Sequence, residues 1–476
     1  MAKRYFLLSL LATLYLASDS GRDIHQLLFN ASHSAQPSSL LWEAARQGDP
    51  VARTRLVDYA VANGESYWLQ KAVSEGSPEA AWALYQSESG NLKNYYLKLA
   101  AQGDVAEAQY TLAMTSDTRS EREAWLVRAA NNNFLDAKIA LVNWYLLNQQ
   151  VELADPWLSG VADSDNALAL VYGKQLWAQG QHKEAKQWIE KSAERGHKPA
   201  QALVSVINQY RPIGMEAVKA TEWPNHCAQR VSIVATSLTA IERADEYYQS
   251  FNNDSRLNAL PICMRKPVWL KPNLLTCSEQ WQGQHRLGCD LTALSGFVRK
   301  SNSTHVAIVA DQGKANVFNG AMFLDVGDTY SVFVHELAHW AGFVDEYPLS
   351  EGLARLHCRQ TTAPNLVFDG KLTYAPLTTI NEWQEADGAM VIAPSRTCRN
   401  VGKHTYKPSS RMTFMEFHDS QHIPQLYLSM WKARLQRKDL QYPIYINLHE
   451  SFRAVGNEEE ANYWQNRYQT YLVTGQ

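Results

Sequence analysis

The chain has 476 residues, of which 45% are hydrophobic and 20% are charged, and its formal net charge is −3. This composition is typical of a globular protein and excludes a collagen-like, largely disordered or membrane-embedded chain. The near-neutral charge offers no broad cationic surface for phosphate groups, so we expect no nucleic-acid partner. The length predicts about two or three domains.

Residues 1–20 are predicted to be a secretory signal peptide. Lys3 and Arg4 precede an uncharged, mostly apolar run from Tyr5 to Ala17, and small and polar residues follow. This run is shorter than the about 20 apolar residues that a membrane-spanning helix needs. We therefore expect a periplasmic or secreted protein with no stable membrane span after cleavage. An uncleaved membrane anchor is the alternative.

Residues 21–215 are predicted to form an all-α helical-repeat domain. The alanine-rich stretch from Leu41 to Tyr210 repeats a phrase in which small residues precede a polar turn and another alanine follows, at a period of about 30 residues. Each copy predicts that one helix ends at a residue tolerating positive φ and that the next begins at once. The copies are Ala44–Gly48 with Ala52, Gly76 with Ala80, Ala100–Gly103 with Ala106, Ala129–Asn132 with Ala137, Val161–Ser164 with Ala167, and Ser192–Gly196 with Ala200.

The repeated phrase resembles that of Sel-like repeats, which are related to the tetratricopeptide repeat. The resemblance covers nearly all of residues 41–210 and implies a solenoid of stacked helical hairpins. It also implies a surface on the repeats for a protein partner. An ordinary helical domain with accidental spacing is the alternative.

The pattern changes after residue 215 and predicts an α+β domain over residues 220–440, followed by a helical tail over residues 441–476. In the tail, Ala454–Asn457 with Ala461 repeats the turn phrase and predicts one more helical hairpin. In the α+β domain, strands are predicted at Val231–Thr236, His305–Asp311 and Asn316–Asp325, the last with Gly320 as a candidate bulge, and a helix at Ala240–Phe251.

All six cysteines fall in the second half of the chain. Their even number predicts up to three disulfides, formed in an oxidising compartment. The favoured pairings join sequence neighbours, Cys277 with Cys289 and Cys358 with Cys398, while buried free thiols are the alternative. The remaining two are Cys227 and Cys263.

One short segment carries the pattern of a metal-dependent hydrolase. His335 and His339 are four residues apart, so on a helix both imidazoles project from one face and can bind one metal ion. The carboxylate of Glu336 can reach a water on that metal without taking a ligand position. Gly342 allows the chain to reverse, and Asp345 can then supply an oxygen ligand.

Two imidazoles and one carboxylate leave the fourth position of zinc for water, which is the open site that catalysis requires. We therefore expect Zn²⁺ as cofactor, with His335, His339 and Asp345 as ligands and Glu336 as general base and acid in amide hydrolysis. Core histidines that bind backbone carbonyls are the structural alternative.

The pattern from His335 to Asp345 resembles the metzincin zinc signature, in the variant with aspartate as third ligand found in snapalysin-type peptidases. The ending Asp345-Glu346-Tyr347 is similar to that of the IgA-specific metalloendopeptidase family. Most metzincins have histidine as the third ligand, so Glu346 is a second candidate for that place. The resemblance also implies that the strand predicted at Asn316–Asp325 pairs with an extended substrate.

The resemblance further implies a Met-turn beneath the metal. Ser410–Phe414 is similar to that turn, with Met412 as its methionine and Met415 as a competing candidate. Phe414 stands where some relatives carry a tyrosine that stabilises the transition state. Tyr347 and Tyr406 are candidates to replace it.

The expected fold class is therefore multidomain, an N-terminal all-α helical-repeat solenoid followed by a C-terminal α+β metzincin-like zinc peptidase domain. The expected function is that of an exported zinc-dependent endopeptidase acting on proteins or peptides, with repeats that recognise a substrate or partner. The alternative is a cell-envelope repeat scaffold or adaptor with a non-catalytic metal domain. A hydrolase for a non-peptide amide is a third candidate.

Overall fold

The computed structural model describes residues 21–87, 89–220, 222–283, 285–360, 362–368 and 377–474. The predicted signal peptide, residues 1–20, lies outside the described residues. Contacts divide the chain into two compact units, Met1–Tyr172 and Gly173–Gln476. Among the described residues, no helix combines the length and the apolar character that crossing a membrane requires.

Short helices follow one another from residue 21 to Gln209. They are α1 (residues 21–32), α2 (Ser38–Arg46), α3 (Pro50–Asn63), α4 (Ser66–Ser74), α5 (Pro78–Ser87), α6 (Lys93–Gln102), α7 (Ala106–Thr115), α8 (Arg119–Asn131), α9 (Leu135–Leu147), α10 (Val151–Val161), α11 (Asn166–Ala178), α12 (His182–Glu194) and α13 (Lys198–Gln209). From α2 to α10 each helix packs against the next. The division between the two units falls within α11.

Burial repeats with the same period as the sequence phrase. In each copy an alanine, valine or serine shortly before the polar turn is almost fully buried, and so is the leucine or isoleucine three residues before it. The smaller residue of each pair lets neighbouring helices approach closely, and the larger side chain fills the space between them. Because the same burial recurs in every copy, the structure shows helical repeats. The buried pairs are Leu41 with Ala44, Leu69 with Ala72, Leu97 with Ala100, Leu126 with Ala129, Leu158 with Val161, and Ile189 with Ser192.

The turn of the third repeat differs from its prediction. Gly48 and Gly76 adopt positive φ as predicted, but the left-handed residue of the third turn is Asp104, with φ of 66°, rather than Gly103. Gly103 is needed for a different reason, because a Cβ atom there would lie 2.3 Å from the Cβ atom of Pro78. The glycine therefore allows close approach of neighbouring helices.

The second unit contains a sheet with the strand order β2-β1-β6-β8-β7. A further short strand, β3, also pairs with β1. β1, β6 and β8 are parallel, and β7 is the antiparallel edge strand. The strands are β1 (Gln229–Ala235), β2 (Ile262–Met264), β3 (Val268–Trp269), β4 (Cys277–Ser278), β5 (Gly288–Cys289), β6 (His305–Ala310), β7 (Asn316–Phe318), β8 (Ala321–Asp325), β9 (Thr362–Ala363), β10 (Leu366–Val367), β11 (Ala393–Ser395) and β12 (Thr405–Lys407).

The prediction of one strand with a bulge at Gly320 is wrong. β7 and β8 are two antiparallel strands joined by Asn319 and Gly320, and Phe318 pairs with Ala321 across the turn. A Cβ atom at Gly320 would lie 2.0 Å from the backbone nitrogen of Ile444, so glycine is required at this close approach. The turn makes β7 the edge of the sheet.

Helices cover both faces of this sheet, which explains why β1 and β6 are buried along their whole length. α14 (Leu238–Asn253) and α16 (Tyr330–His339) lie together on one face. The other face packs against α15 (Ser295–Ser301), α20 (Ile444–Ala454) and α21 (Glu458–Thr474). The predicted C-terminal hairpin is thus present as α20 and α21, and it packs on the sheet of the second unit.

The segment between α16 and α20 contains α17 (Glu351–His357), α18 (Leu377–Ala386), α19 (Gln425–Gln436) and a small sheet with the order β11-β12-β10-β9. The predicted disulfides Cys277–Cys289 and Cys358–Cys398 are confirmed, and Cys227 pairs with Cys263. Three disulfides indicate that the chain folds outside the reducing cytosol.

Candidate metal centre

Helix α16 supplies the rigid support of the site. Its residues Phe333 and Leu337 are fully buried, and Phe333 stacks on Tyr247 of α14 at 4.9 Å between ring centroids. This packing fixes the helix rotation, so that His335 and His339 share one face.

The chain reverses immediately after α16. Gly342 has φ of 83°, its amide donates to the carbonyl oxygen of His339 at 2.9 Å, and the amide of Phe343 donates to Ala338 at 3.2 Å. This left-handed cap needs glycine and directs the following residues back towards the helix. It brings Asp345 next to the two histidines.

Three predicted ligand atoms converge on one point. The Nε2 atom of His335 lies 2.9 Å from Oδ1 of Asp345 and 3.2 Å from Nε2 of His339. The third side of the triangle, from Nε2 of His339 to Oδ1 of Asp345, is also 3.2 Å. The side chains of His335, His339 and Asp345 are 7%, 21% and 13% exposed, so the cluster has a side open to solvent.

Backbone carbonyls determine which nitrogen of each imidazole carries a proton. Nδ1 of His335 lies 2.9 Å from the carbonyl oxygen of Phe414, and Nδ1 of His339 lies 2.8 Å from that of Phe343. Because a carbonyl oxygen only accepts, both Nδ1 atoms must be the donors. In the neutral rings both Nε2 atoms then present lone pairs to each other and to the Asp345 carboxylate. Either a proton on Nε2 or a metal cation between the three atoms removes this repulsion.

The donor set fits a tetrahedral divalent ion. Zinc binds histidine nitrogen and carboxylate oxygen at about 2.0–2.2 Å, which in a tetrahedral site corresponds to ligand atoms about 3.3–3.6 Å apart. The observed separations of 2.9–3.2 Å are shorter than these, so small outward shifts of the side chains would accommodate the ion. Nδ1 hydrogen bonds to backbone carbonyls are also the outer contacts that ligating histidines make.

The charges of the cluster are strongly coupled. Burial alone would raise the pKa of Asp345, but the imidazoles of His339 and His335 hold this pKa well below its ordinary value. Burial opposes a charged His339, yet the Asp345 carboxylate outweighs it and raises the pKa of His339 to about 9. The site thus favours positive charge beside Asp345.

Glu336 lies beside the two histidines and forms with them a group of side chains that could hold a metal ion. A carboxylate oxygen of Glu336 is within 4.8 Å of ligand nitrogens of both histidines. Burial raises the pKa of Glu336, and the neighbouring imidazoles of His339 and His335 oppose this. A carboxylate with a raised pKa next to a metal position can accept and return a proton.

The candidate Met-turn lies below His335, but its two methionines differ in burial. Phe414 accepts the hydrogen bond from His335, and the carbonyl oxygen of Met415 accepts from the amide of Glu346 at 2.9 Å. Met415 is fully buried, whereas Met412 is 53% exposed. Of the two candidate methionines, only Met415 is therefore part of the buried interior next to Phe414.

The carboxylate of Glu346 is bonded by other side chains and not by His335 or His339. Glu346 is fully buried, and its carboxylate accepts four hydrogen bonds from four separate segments. It is therefore a structural anchor of the loop rather than a ligand. The donors are Asn365 Nδ2 at 3.0 Å, Lys407 Nζ at 3.1 Å, Thr413 Oγ1 at 2.5 Å and Tyr427 OH at 2.6 Å.

Helix α19 forms the floor of the site. Trp431 is fully buried and stacks on Phe414 at 6.1 Å with an interplanar angle of 7°. Nε of Arg434 donates to the carbonyl oxygen of Ala341 at 3.1 Å, directly before the left-handed Gly342. Nothing in the local sequence pattern around α16 indicated these contacts, because α19 lies about 90 residues further along the chain.

Two further side chains lie near the cluster. The ring of Tyr347 is nearly parallel to that of His335 at 6.3 Å between centroids, and burial together with the Asp345 carboxylate raises the pKa of Tyr347. Burial, with the charge of His339 adding to it, lowers the pKa of His357 in α17. Tyr406 pairs with Val367 in the small sheet.

A second group of residues with metal-binding side chains is not available to bind a metal. His226, Cys227 and Cys263 have suitable spacing, but the two cysteines are joined in a disulfide. A cavity of about 1050 Å³ lined by Trp223, Arg230 and other residues contains neither Glu336 nor any of the three predicted metal ligands.

Comparisons with known proteins concern the repeats. A protective antigen present in uropathogenic Escherichia coli strains, described as displaying an SLR fold, is 20% identical with a TM-score of 0.26, and the match covers 35% of this chain and 42% of that chain. This chain thus spans less than half the length of that protein. A Sel1 repeat protein from Oxalobacter formigenes is 19% identical with a TM-score of 0.25, covering 38% of this chain and 87% of that chain. No family model matches the sequence, and neither does any curated protein.

Proposed function

We propose that the second unit is a zinc-dependent endopeptidase, exported to the periplasm or secreted, and that the helical repeats recognise its protein substrate or a partner. The main support is the convergence of three lone pairs from His335, His339 and Asp345, with both histidine tautomers set by backbone carbonyls. The resemblance of this segment to metzincins, in which the same residue types bind zinc, supports the choice of metal.

Zinc, when bound, supplies polarisation of a carbonyl oxygen and a water whose pKa lies near 7. Glu336 accepts the proton of the attacking water and delivers it to the amine that leaves. The hydroxyl of Tyr347, which hydrogen-bonds to Asp345 in the free site, turns to donate a hydrogen bond to the carbonyl oxygen of the substrate. Asp345 and the imidazoles of His335 and His339 would hold the zinc ion.

The edge strand β7 supports a polypeptide substrate. It pairs with β8 on one side, and no other strand of the described residues pairs with it on the other side. β7 also contacts α16, the helix that carries Glu336. An extended peptide can add to such an edge by backbone hydrogen bonds, which brings an amide bond alongside the cluster.

The test combines metal analysis with hydrolysis of a protein mixture. We expect about one zinc per chain in the purified protein and in Glu336→Gln, but hydrolysis only in the former. His339→Ala should lose both, and Glu351→Gln, at an exposed position in α17, should change neither. Absence of zinc, or activity retained in Glu336→Gln, would contradict the proposal.

A second candidate function is a cell-envelope scaffold or adaptor. It is favoured by the helical repeats, which occupy the whole first unit of the described chain. In that case a partner would bind the repeats, and binding would persist after His339→Ala removes the metal. Peptidoglycan fragments tested beside the protein mixture would distinguish a hydrolase for non-peptide amides.

A further inference from the structure

A cavity of about 390 Å³ lies next to the edge strand β7. Asn316 and Phe318 of β7 line it, together with Phe323 of β8 and residues of α20. Because α20 packs on the sheet face opposite to α14 and α16, the cavity opens on the face opposite to the metal cluster. β7 therefore separates the cavity from the cluster.

Side chains alternate across this strand. Asn316 and Phe318 face the cavity, and Val317 between them points to the face on which α16 lies. The register partner of Val317 is Met322, which is fully buried. A peptide that adds to the edge of β7 follows the same alternation, so adjacent residues of the peptide point towards the metal cluster and towards the cavity.

The walls of the cavity are mainly apolar and held in place. Phe318 is 46% exposed, so one aromatic wall is open to an incoming side chain. Nδ2 of Asn316 donates to the carbonyl oxygen of Leu287 at 2.9 Å, and the Cys277–Cys289 disulfide closes the hairpin that forms the opposite wall. The apolar part of the lining consists of Trp281, Leu287, Cys289, Leu291, Phe318, Phe323, Ala454 and Val455.

Three charged residues line the cavity, Arg286, Asp290 and Glu450, and they carry both signs of charge. A preformed apolar cavity with a small number of polar groups is suited to a large apolar side chain.

We propose that this cavity is a specificity subsite that receives a bulky apolar side chain, aromatic or branched aliphatic, from an extended polypeptide paired with β7. This inference rests on the proposed function, because it assigns the substrate class of the same metal centre. Phe318 and Val455 are then residues that select which substrate side chain binds.

The test measures peptide binding separately from hydrolysis. The probes are two pools of fluorescein-labelled octapeptides composed of Ala, Gly, Ser, Lys and Glu, one of which also carries a single Phe at any position. They are titrated by fluorescence anisotropy against the full chain carrying Glu336→Gln. We expect the Phe pool to bind about ten-fold more tightly than the Phe-free pool.

Two substitutions at exposed positions lining the cavity should remove this difference. Ala454→Trp fills the cavity and Val455→Asp places a charge at its wall. Arg453→Trp is the matched control, because it adds the same side chain to the adjacent position of α20, outside the cavity lining, and should keep the ten-fold difference.

The outcomes separate the subsite from the catalytic function. Equal or undetectable binding of the two pools, or a preference that survives Ala454→Trp, overturns the subsite. A Phe preference that Ala454→Trp removes, in a chain without zinc or hydrolysis, supports the subsite while the peptidase function fails. Hydrolysis without any Phe preference supports the peptidase and overturns the subsite.

Discussion

Asp345 and Glu346 are consecutive residues whose carboxylates point in different directions. Oδ1 of Asp345 lies 2.9 Å from Nε2 of His335, whereas Glu346 accepts hydrogen bonds from the buried Lys407 and Tyr427. Because the carboxylate of Glu346 is held in the protein interior, the loop presents the carboxylate of Asp345 to His335 and His339.

This relationship predicts that Glu346→Gln weakens folding as well as metal binding. The substitution leaves the buried ammonium of Lys407 with one carboxylate, Glu416, and should lower the free energy of unfolding by about 3 kcal/mol. Urea unfolding of the metal-free protein measures this loss. Glu351→Gln breaks an exposed pair with Arg355 and should cost less than about 0.5 kcal/mol. Equal costs for the two variants would contradict an anchoring role.

Gly342→Ala should disturb the turn that carries Asp345. Its φ of 83° strains alanine, and the new Cβ atom would lie 2.8 Å from the guanidinium of Arg434. We expect a loss of about 2 kcal/mol in the free energy of unfolding and at least about ten-fold weaker zinc binding. Gly402→Ala is the control, because its φ of 68° is similar but no atom lies within 4 Å. Unchanged zinc affinity in Gly342→Ala would show that the turn does not position Asp345.

His305 should make folding sensitive to acid. Burial, with Arg230 adding to it, lowers the pKa of His305 to about 3, and its Nε2 has no hydrogen-bond partner among the described residues. The unfolded chain takes up a proton below pH 6.5 while the folded chain does not, so stability falls as the pH drops from 6.5 towards 3. The slope from this residue is at most about 1.4 kcal/mol per pH unit.

Chemical unfolding at pH 7.0, 6.0, 5.0 and 4.5 measures this slope, and the metal-free protein should be used throughout. In His305→Gln the slope should decrease by the amount due to one histidine, whereas His404→Gln, at an exposed position, should leave it unchanged. An identical pH dependence for His305→Gln and the unsubstituted protein would contradict the prediction.

Gly103→Ala tests the helix approach in the first unit. Its backbone conformation suits alanine, but the Cβ atom would lie 2.3 Å from Pro78, so we expect a loss of about 1–3 kcal/mol by overpacking. Gly160→Ala, within α10 and with no atom inside 4 Å, should instead be neutral or stabilise by up to about 1 kcal/mol. Thermal unfolding followed by circular dichroism at a helical wavelength compares the two. A Gly103→Ala variant as stable as Gly160→Ala would rule out the crowding.

Features that depend on short stretches of sequence could be predicted. The spacing of His335, Glu336 and His339 places them on one helical face whatever surrounds the helix, and Gly342 permits the reversal that brings Asp345 back. The repeats were visible for the same reason, since each copy carries its own turn. The edge hairpin was missed although Asn319-Gly320 is a strong two-residue turn signal.

Features that depend on distant segments could not be predicted in this way. The choice between Asp345 and Glu346 is decided by donors 19 to 81 residues away, and none of them has a fixed spacing from the loop. The same holds for Met412 and Met415, because the short segment that contains both gives no pattern that distinguishes the exposed methionine from the buried one. The contacts that orient the histidines involve main-chain atoms, which every residue type possesses.

These main-chain contacts have an evolutionary consequence. No substitution at Phe343 or Phe414 can delete a carbonyl group, so the protonation pattern of both imidazoles tolerates sequence drift at the residues that enforce it. Only a change in the path of the backbone can alter that pattern. Homologues could therefore differ widely around the histidines and still present the same two lone pairs.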